Sequence, residues 1–394
     1  MGLGPEGVVD EIKLAGRMDE LTSFIVMDVL ERAQALEAQG HSVVHLEVGE
    51  PDFDPPPPVV EAMRRAVCNG KTHYTHSLGI WPLREAIARR YLERYGVEVS
   101  PERVCITTGT SAAFLLIFGA LLETGEAVAM SDPGYPCYPN FVRFVGGRPR
   151  PVPIAEADGF QLVPERLEAE DLAGVRMFVV SSPANPTGTI TGRPTYEWIL
   201  EKGYRLVSDE IYHELVYTGE KEFSGLAVSD EAIVVDGFSK RWAMTGCRLG
   251  WMVVPAGLVR AVNRLSQNLY ISPPTPSQWG GLAALEQGSS HVECMRQEYG
   301  LRNRLLVEGL RRVGFSVAFP PQGAFYVFAD VSRFCSDSFQ FCMEMLHQAH
   351  VAATPGIDFG RNETSRYVRF AYTSSQEMIR EGLSRLEKWL ATRL

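Results

Sequence analysis

Six lysines stand among 32 arginines in this chain, and one occupies a position unlike the other five. Lys240 follows the apolar run Ala232 to Val235 through Asp236-Gly237-Phe238-Ser239. Lys13, Lys71, Lys202, Lys221 and Lys388 lie in polar or amphipathic surroundings. A lysine at the ligand end of a buried strand suits Schiff-base chemistry, because desolvation lowers its pKa and frees the amine as a nucleophile. Asp209 closes another run, Arg205 to Ser208. A carboxylate there needs a cation or donors to offset its burial, although it also reads as the cap of a following helix. Gly109-Thr110-Ser111-Ala112 opens an apolar helix and is either an anion seat or an ordinary helix start. Ser182-Pro183-Ala184-Asn185-Pro186-Thr187-Gly188 is a stiff turn that can hold one amide, Asn185, in fixed orientation. Arg248 begins the run Leu249 to Val254, and a fixed guanidinium suits a phosphate.

The elements behind these residues are short apolar runs: Val104 to Thr107, Ala127 to Met130, Arg176 to Val180, Arg205 to Ser208, Ala232 to Val235 and Leu249 to Val254. Such runs are buried on both faces, and helical segments separate several of them. The pattern predicts an α/β protein with a large domain, residues 46–289, built on a mostly parallel sheet flanked by helices. Ligands of such sheets bind beyond the carboxyl ends of the strands, which is where the reactive residues fall. After about residue 290 the texture changes to a smaller α+β domain. It reads as a helix from His291 to Val313, an antiparallel pair Phe315 to Phe319 and Ala324 to Ala329, and a helix from Ser338 to Ala349. A strand from Tyr367 to Tyr372 and a last helix with a capping box at Ser374-Ser375-Gln376-Glu377 follow. The N-terminal helix, about Val26 to Gln39, joins this part, so residues 1–45 and 290–394 form the small domain. A lysine for a Schiff base, a carboxylate for a protonated ring nitrogen, a phosphate seat and a fixed donor are together what pyridoxal 5'-phosphate (PLP) requires.

Bulk properties narrow the field. A net charge of −10 over 394 residues argues against a nucleic-acid footprint. No apolar stretch is long enough to span a membrane or to act as a secretory leader. The seven cysteines are odd in number and scattered, so a cytoplasmic protein with reduced thiols and no metal site is expected. No GxGxxG motif follows a strand, which disfavours a nicotinamide dehydrogenase.

The motifs in order resemble the fold-type I PLP enzymes, specifically the class I/II aminotransferases of the aspartate aminotransferase superfamily. The resemblance runs from about Glu47 to the C-terminus. It rests on Gly49-Glu50-Pro51-Asp52-Phe53, Asn185-Pro186-Thr187-Gly188, Ser208-Asp209-Glu210-Ile211-Tyr212 and Ser239-Lys240-Arg241-Trp242-Ala243-Met244-Thr245-Gly246-Cys247-Arg248-Leu249-Gly250, with Tyr367-Val368-Arg369-Phe370-Ala371-Tyr372 near the end. It implies transfer of an amino group between an L-amino acid and a 2-oxo acid, 2-oxoglutarate foremost, by a ping-pong mechanism. Lys240 would bond the cofactor and act as base. Asp209 would meet the pyridine N–H, with Asn185 and Tyr212 at the ring oxygen and Tyr135 stacked on the ring. The amides of Thr110, Ser111 and Ala112, with Ser239 and Arg248, would hold the phosphate. Arg369 would clamp the substrate carboxylate beside Gly49 and Asn185, although a strand arginine also serves in surface salt bridges. Tyr74 and the loop Asn268 to Pro276 would reach a partner's site in a homodimer.

Two departures stand out, the first bearing on a phosphate hydroxyl and the second on substrate. Gly237 stands where Ser is frequent, and the N-terminal lid reads Ser23-Phe24-Ile25-Val26-Met27 in place of small hydroxylated residues. With Tyr135, Tyr212, Trp242 and Tyr270 as candidate wall residues, the lid predicts that apolar donors serve at least as well as aspartate. A β-lyase, an aminocyclopropane-forming synthase or an effector-sensing regulator on the same fold are the rival readings, because fold does not fix reaction.

Overall fold

The computed structural model describes residues 12–219 and 222–393; Lys221, read above as a surface lysine, lies outside them. Twelve strands are present among the described residues. They are β1 (Val44–His45), β2 (Val104–Thr107), β3 (Ala127–Asp132), β4 (Arg148–Pro153), β5 (Val175–Ser181), β6 (Arg205–Asp209), β7 (Ile233–Gly237), β8 (Gly250–Val253), β9 (Tyr326–Asp330), β10 (Val351–Ala352), β11 (Thr354–Pro355) and β12 (Tyr367–Ala371). Seven of them form one sheet in the order β2-β8-β7-β6-β5-β3-β4.

Alternation along each strand builds both faces of this sheet. Met177 and Val179 of β5 pack with Phe114, Ile117 and Val207 on one side, whereas Phe178 and Val180 pack with Tyr196, Ile199 and Leu206 on the other. Double burial of this kind explains why the strands read as unbroken apolar runs. One strand departs from the parallel rule: β8 runs antiparallel to both β2 and β7. Its start therefore lies on the same edge as the carboxyl ends of its neighbours. Gly250 of β8 pairs with Thr107 of β2 and with Gly237 of β7, which brings Arg248 to the edge that carries Lys240.

The smaller sheet has the order β11-β12-β9, all antiparallel, and β1 pairs in parallel with β10. The N-terminal helix spans Ile25–Ala38 and packs Val29, Ala33 and Leu36 against Leu346 and Ala352. The helices Ser289–Val313 and Ser338–Ala349 stand where the sequence places them.

Two local expectations need correction. Phe315 to Phe319 is not a strand; a single bridge, Ser316 to Asp330, is all that forms. Pro320 and Pro321 cannot donate to a ladder, and Ala324 adopts φ 59°, so the chain turns away and β9 begins only at Tyr326. Its partner is β12. The last helix is capped by Ser375, whose Oγ accepts from Met378 N, while Ser374 Oγ donates to His45 O. With Met378 at the reciprocal position, no capping box closes.

The loop that presents Lys240 is held by a buried ion pair. Arg241 and Asp236 are 0% and 3% exposed, and Arg241 Nη2 donates to Asp236 Oδ2. Arg241 Nη1 also donates to Glu214 Oε1 at 2.9 Å. Removing one partner strands the other charge in the interior. Arg241→Ala is therefore expected to lower unfolding free energy by about 3–5 kcal/mol in urea titration. A loss below about 1 kcal/mol, the range of an exposed pair, would contradict this role.

Candidate active site

Every residue that the sequence nominates from a strand end meets at one edge of the seven-stranded sheet. A cavity of about 160 Å³ there is lined by Lys240, Asp209, Tyr212, Asn185, Thr110 and Tyr135 from that edge, and by Gly49 and Arg369 from outside it. Phe24, Val26 and Met27 of the N-terminal segment close one side. A larger, more open cleft of about 610 Å³ lies beyond Tyr135 and contains neither Lys240 nor Asp209.

Among the described lysines, Lys240 alone is not exposed. Its Nζ donates to Gly49 O at 2.8 Å. Burial pulls its pKa down to about 8, against a rise due to Glu50. A Cβ on Gly49 would fall 1.9 Å from Tyr326 Oη, so only glycine lets this carbonyl reach the amine.

Asp209 is buried at the end of β6, and burial pushes its carboxyl up to about 6. The opposing influences are first of all donors, with the charge of Lys240 a smaller one. Tyr138 Oη donates to Oδ2 and Ile211 N donates to Oδ1 at 3.2 Å. A buried carboxylate short of positive charge fits a protonated ring nitrogen.

The anion seat is built from one helix start and one arginine. The helix Thr110–Leu121 follows Gly109, which has φ 83° and provides no side-chain cap. A Cβ on Gly109 would meet Arg248 Nη2 at 2.7 Å, and one on Gly250 would meet Gly109 C at 2.9 Å and Thr110 N at 3.0 Å. A guanidinium thus stands at the positive end of a helix, where both present donors and neither presents an acceptor. An anion between them relieves that repulsion. Thr110 lines the cavity, Ser111 and Ala112 occupy the first turn, and Ser239 is partly buried beside Lys240.

Arg369 on β12 is 2% exposed, so the surface salt-bridge reading does not hold. Nη1 donates to Asn185 Oδ1 at 3.0 Å, and Nη2 donates to Glu47 O and to Thr354 Oγ1, the latter at 3.2 Å. Its guanidinium lies 4.3 Å from the ring of Tyr326 and 4.7 Å from that of Phe359. None of these partners is a carboxylate, and Nε has no hydrogen-bond partner. The unmatched charge suits a substrate carboxylate. These features, an undercompensated carboxylate, a glycine-lined anion seat and an unpaired guanidinium, fit PLP and an amino acid together.

Two nominated wall residues lie elsewhere. Trp242 is packed in the core against Phe238 and Trp251, and Tyr270 packs beside the helix Val259–Leu269 with its Oη 3.2 Å from Ser266 Oγ. Tyr74 is 77% exposed and does not reach this chain's own cavity. The sequence reading missed Tyr138, Ser181 and Tyr326, all of which line the cavity. Tyr138 was within reach of it, three residues beyond Tyr135 with the rings 5.1 Å apart. Tyr326 carried no local signal, since its partner Tyr212 Oη, at 2.8 Å, is remote in sequence.

The depressed pKa of Lys240 has a consequence for stability. Below about pH 8 the amine is charged in both folded and unfolded chains, and its burial opposes folding in full. Between that value and the ordinary 10.5 the folded chain sheds its proton first, and the penalty fades. In cofactor-free protein, Lys240→Met should raise stability at pH 7 by at most about 3 kcal/mol, with the gain shrinking as pH climbs toward 10.5. Urea unfolding across that range checks it; a pH-independent difference would contradict it.

Comparison with known proteins agrees with this geometry. The family model "Aminotransferase class I and II" matches residues 41–386. The chain is 41% identical over 375 residues to a valine–pyruvate aminotransferase of Mycobacterium tuberculosis, covering 93% of this chain and 96% of that one. It is 37% identical to the aspartate/prephenate aminotransferase of Thermus thermophilus, over 96% and 98% of the two chains. The crystal structure of an aminotransferase from Mycobacterium tuberculosis superposes with a TM-score of 0.93 at 40% identity, covering 97% of this chain and all of that one. The chain belongs to the class I and II aminotransferases, fold-type I enzymes that use PLP to transfer amino groups.

Proposed function

We propose that this enzyme transaminates L-amino acids with apolar or aromatic side chains, alternating donor and 2-oxo acid in one site by a ping-pong mechanism. The observation that carries the reading is the wall of the cavity. Phe24, Val26, Met27, Val48 and Ile211 line it, and among the described residues its only cationic side chains are Lys240 and Arg369. Arg369 is the group for the α-carboxylate, so a second carboxylate on the donor finds no cation of its own and loses its hydration. The relative named a valine–pyruvate aminotransferase supports an apolar donor, and the one named for aspartate and prephenate supplies the contrast.

When bound, PLP supplies an electrophilic aldehyde for amines and a conjugated ring that draws electrons from the Cα–H bond. The chain's residues do the rest in this reading. Lys240 Nζ would hold the cofactor and would carry the proton to and from Cα. Its pKa near 8 lets it accept and return that proton close to neutral pH. Asp209 would keep the ring nitrogen protonated, and Tyr138 donates to the carboxylate that would do so. Asn185 and Tyr212 would orient the ring oxygen, Tyr135 would cover the ring, and Arg248 with Thr110, Ser111, Ala112 and Ser239 would hold the phosphate. Arg369 and Gly49 orient the substrate so that the Cα–H bond faces the lysine. Our reading for the acceptor is 2-oxoglutarate, with its distal carboxylate turned out of the apolar part of the cavity. Pyruvate is the second reading, favoured by the lack of a further cation.

The same reading divides the chain at residues 46–289 and pairs two copies. Thr75 N donates to Ser272 Oγ and Thr275 Oγ1 to His73 O, so the Tyr74 segment and the loop 268–276 form one surface. Tyr74, Leu269 and Ile271 are exposed on it, which suits a second copy of the chain. The seven free thiols suit a reducing compartment such as the cytoplasm.

The test is kcat/KM for leucine, methionine, phenylalanine, alanine and aspartate, with 2-oxoglutarate and with pyruvate as acceptor. Burying a whole apolar side chain contributes roughly 1.5–3 kcal/mol, so at least one apolar donor should equal or exceed aspartate. An aspartate advantage of about a hundredfold or more over every apolar donor would contradict the reading, since about 2.7 kcal/mol of selectivity requires a dedicated cation.

A further inference from the structure

The helix Ile25–Ala38 begins without a cap of its own. Phe24 holds the capping position and offers no side-chain acceptor. The first amides are met from the other end of the chain. Asp358 Oδ1 accepts from Ile25 N at 2.9 Å, and its Oδ2 accepts from Val26 N at 3.3 Å. A carboxylate spanning two free amides at the positive end of a helix is favoured by charge-assisted hydrogen bonding and by the helix dipole. Asp358 is itself 8% exposed, which limits competition from water.

The loop that bears Asp358 has little slack. Gly134 N donates to Phe359 O at 2.8 Å. Asp132 Oδ1 accepts from Arg361 N at 2.8 Å and from Asn362 N at 3.2 Å. A Cβ on Gly360, whose φ is 150°, would fall 1.8 Å from Asp132 Oδ1, and one on Gly356 would fall 2.2 Å from Thr364 O. The loop is thus pressed onto the end of β3, next to Tyr135. Phe359 lays its ring on the guanidinium of Arg369. The stacking partner of Arg369 directly follows the carboxylate that holds the N-terminal helix. On the helix side, Val26, one of the two capped residues, lines the cavity with its neighbours Phe24 and Met27, while Ile25 lines the wider cleft beyond Tyr135.

We propose that Asp358 is a positioning residue which, by fixing the first turn of this helix, sets the place of Phe24, Val26 and Met27 and so the grip on the donor's side chain. The inference rests on the apolar reading of the cavity and deepens it. Asp358 lies outside the cavity lining, and although its charge is felt at Arg369, that influence acts on every donor alike, so the part of the loss that differs between donors is the grip on the side chain. The effect grows with the size of that side chain, because alanine scarcely reaches the wall.

The test compares the holoenzyme with Asp358→Ala and Asp358→Asn, using alanine, leucine and phenylalanine as donors. Losing a helix cap shifts the local equilibrium by roughly fivefold. Asp358→Ala is expected to raise KM for leucine and phenylalanine by about fivefold, with kcat and the KM for alanine within about twofold. Asn keeps one acceptor oxygen and should restore most of the loss. Amide hydrogen exchange in residues 25–29 should quicken in the alanine variant and return toward the parent rate in the asparagine variant. Unchanged exchange, or a KM rise equal for alanine and leucine, would overturn the proposal. Should Asp358→Ala lose the bound cofactor's absorbance, Asp358→Glu, with its longer arm, carries the same size-dependent expectation. A failure of the apolar reading shows separately, in the donor panel of the unmodified enzyme, and leaves the exchange result standing.

Discussion

Three charged side chains share one small cavity: Lys240, Asp209 and Arg369. None of the three finds a full counter-charge there. Lys240 leans on a backbone carbonyl, Asp209 on a phenol and an amide, and Arg369 on neutral oxygens and two aromatic rings. Such an arrangement is costly without ligands, because buried charges are ordinarily paired. It becomes favourable when a cofactor and a substrate supply the missing charges. The cavity is best understood as half of an electrostatic assembly whose other half is small molecules.

The fold exists to hold that half in place. One antiparallel strand in an otherwise parallel sheet turns the start of β8 to the functional edge, which sets Arg248 opposite the helix that begins at Thr110. The pair Arg241 and Asp236 fixes the loop of Lys240 from beneath. The smaller sheet contributes from the opposite side, through Arg369 on β12 and Tyr326 on β9. Opposing the chain's two ends in this way lets the N-terminal segment cover the cavity while its helix is capped from residue 358.

The sheet edge was legible because each of its groups follows an apolar run within a few residues. Lys240, Asp209 and Thr110 inherit their places from local order in the chain, and Arg248 from the strand it precedes. Other features were not legible, for a common physical reason. Tyr326 meets Tyr212, and Asp358 meets Ile25, only because distant elements pack together, and no spacing in the sequence encodes that. Trp242 read as a candidate wall residue, but its indole turns into the core with Phe238. The expected hairpin after Phe315 failed because two prolines and a left-handed Ala324 divert the chain, and β12 takes up the pairing. The lid's apolar character did carry through, with Phe24, Val26 and Met27 on the cavity wall.

Our central proposal is that the buried amine of Lys240 is the point of covalent attachment. Borohydride reduction of the PLP-loaded enzyme, followed by proteolysis and mass mapping, tests it directly. The account predicts a single pyridoxyl label, on the peptide that contains Lys240. A label on any peptide that lacks Lys240 would contradict it.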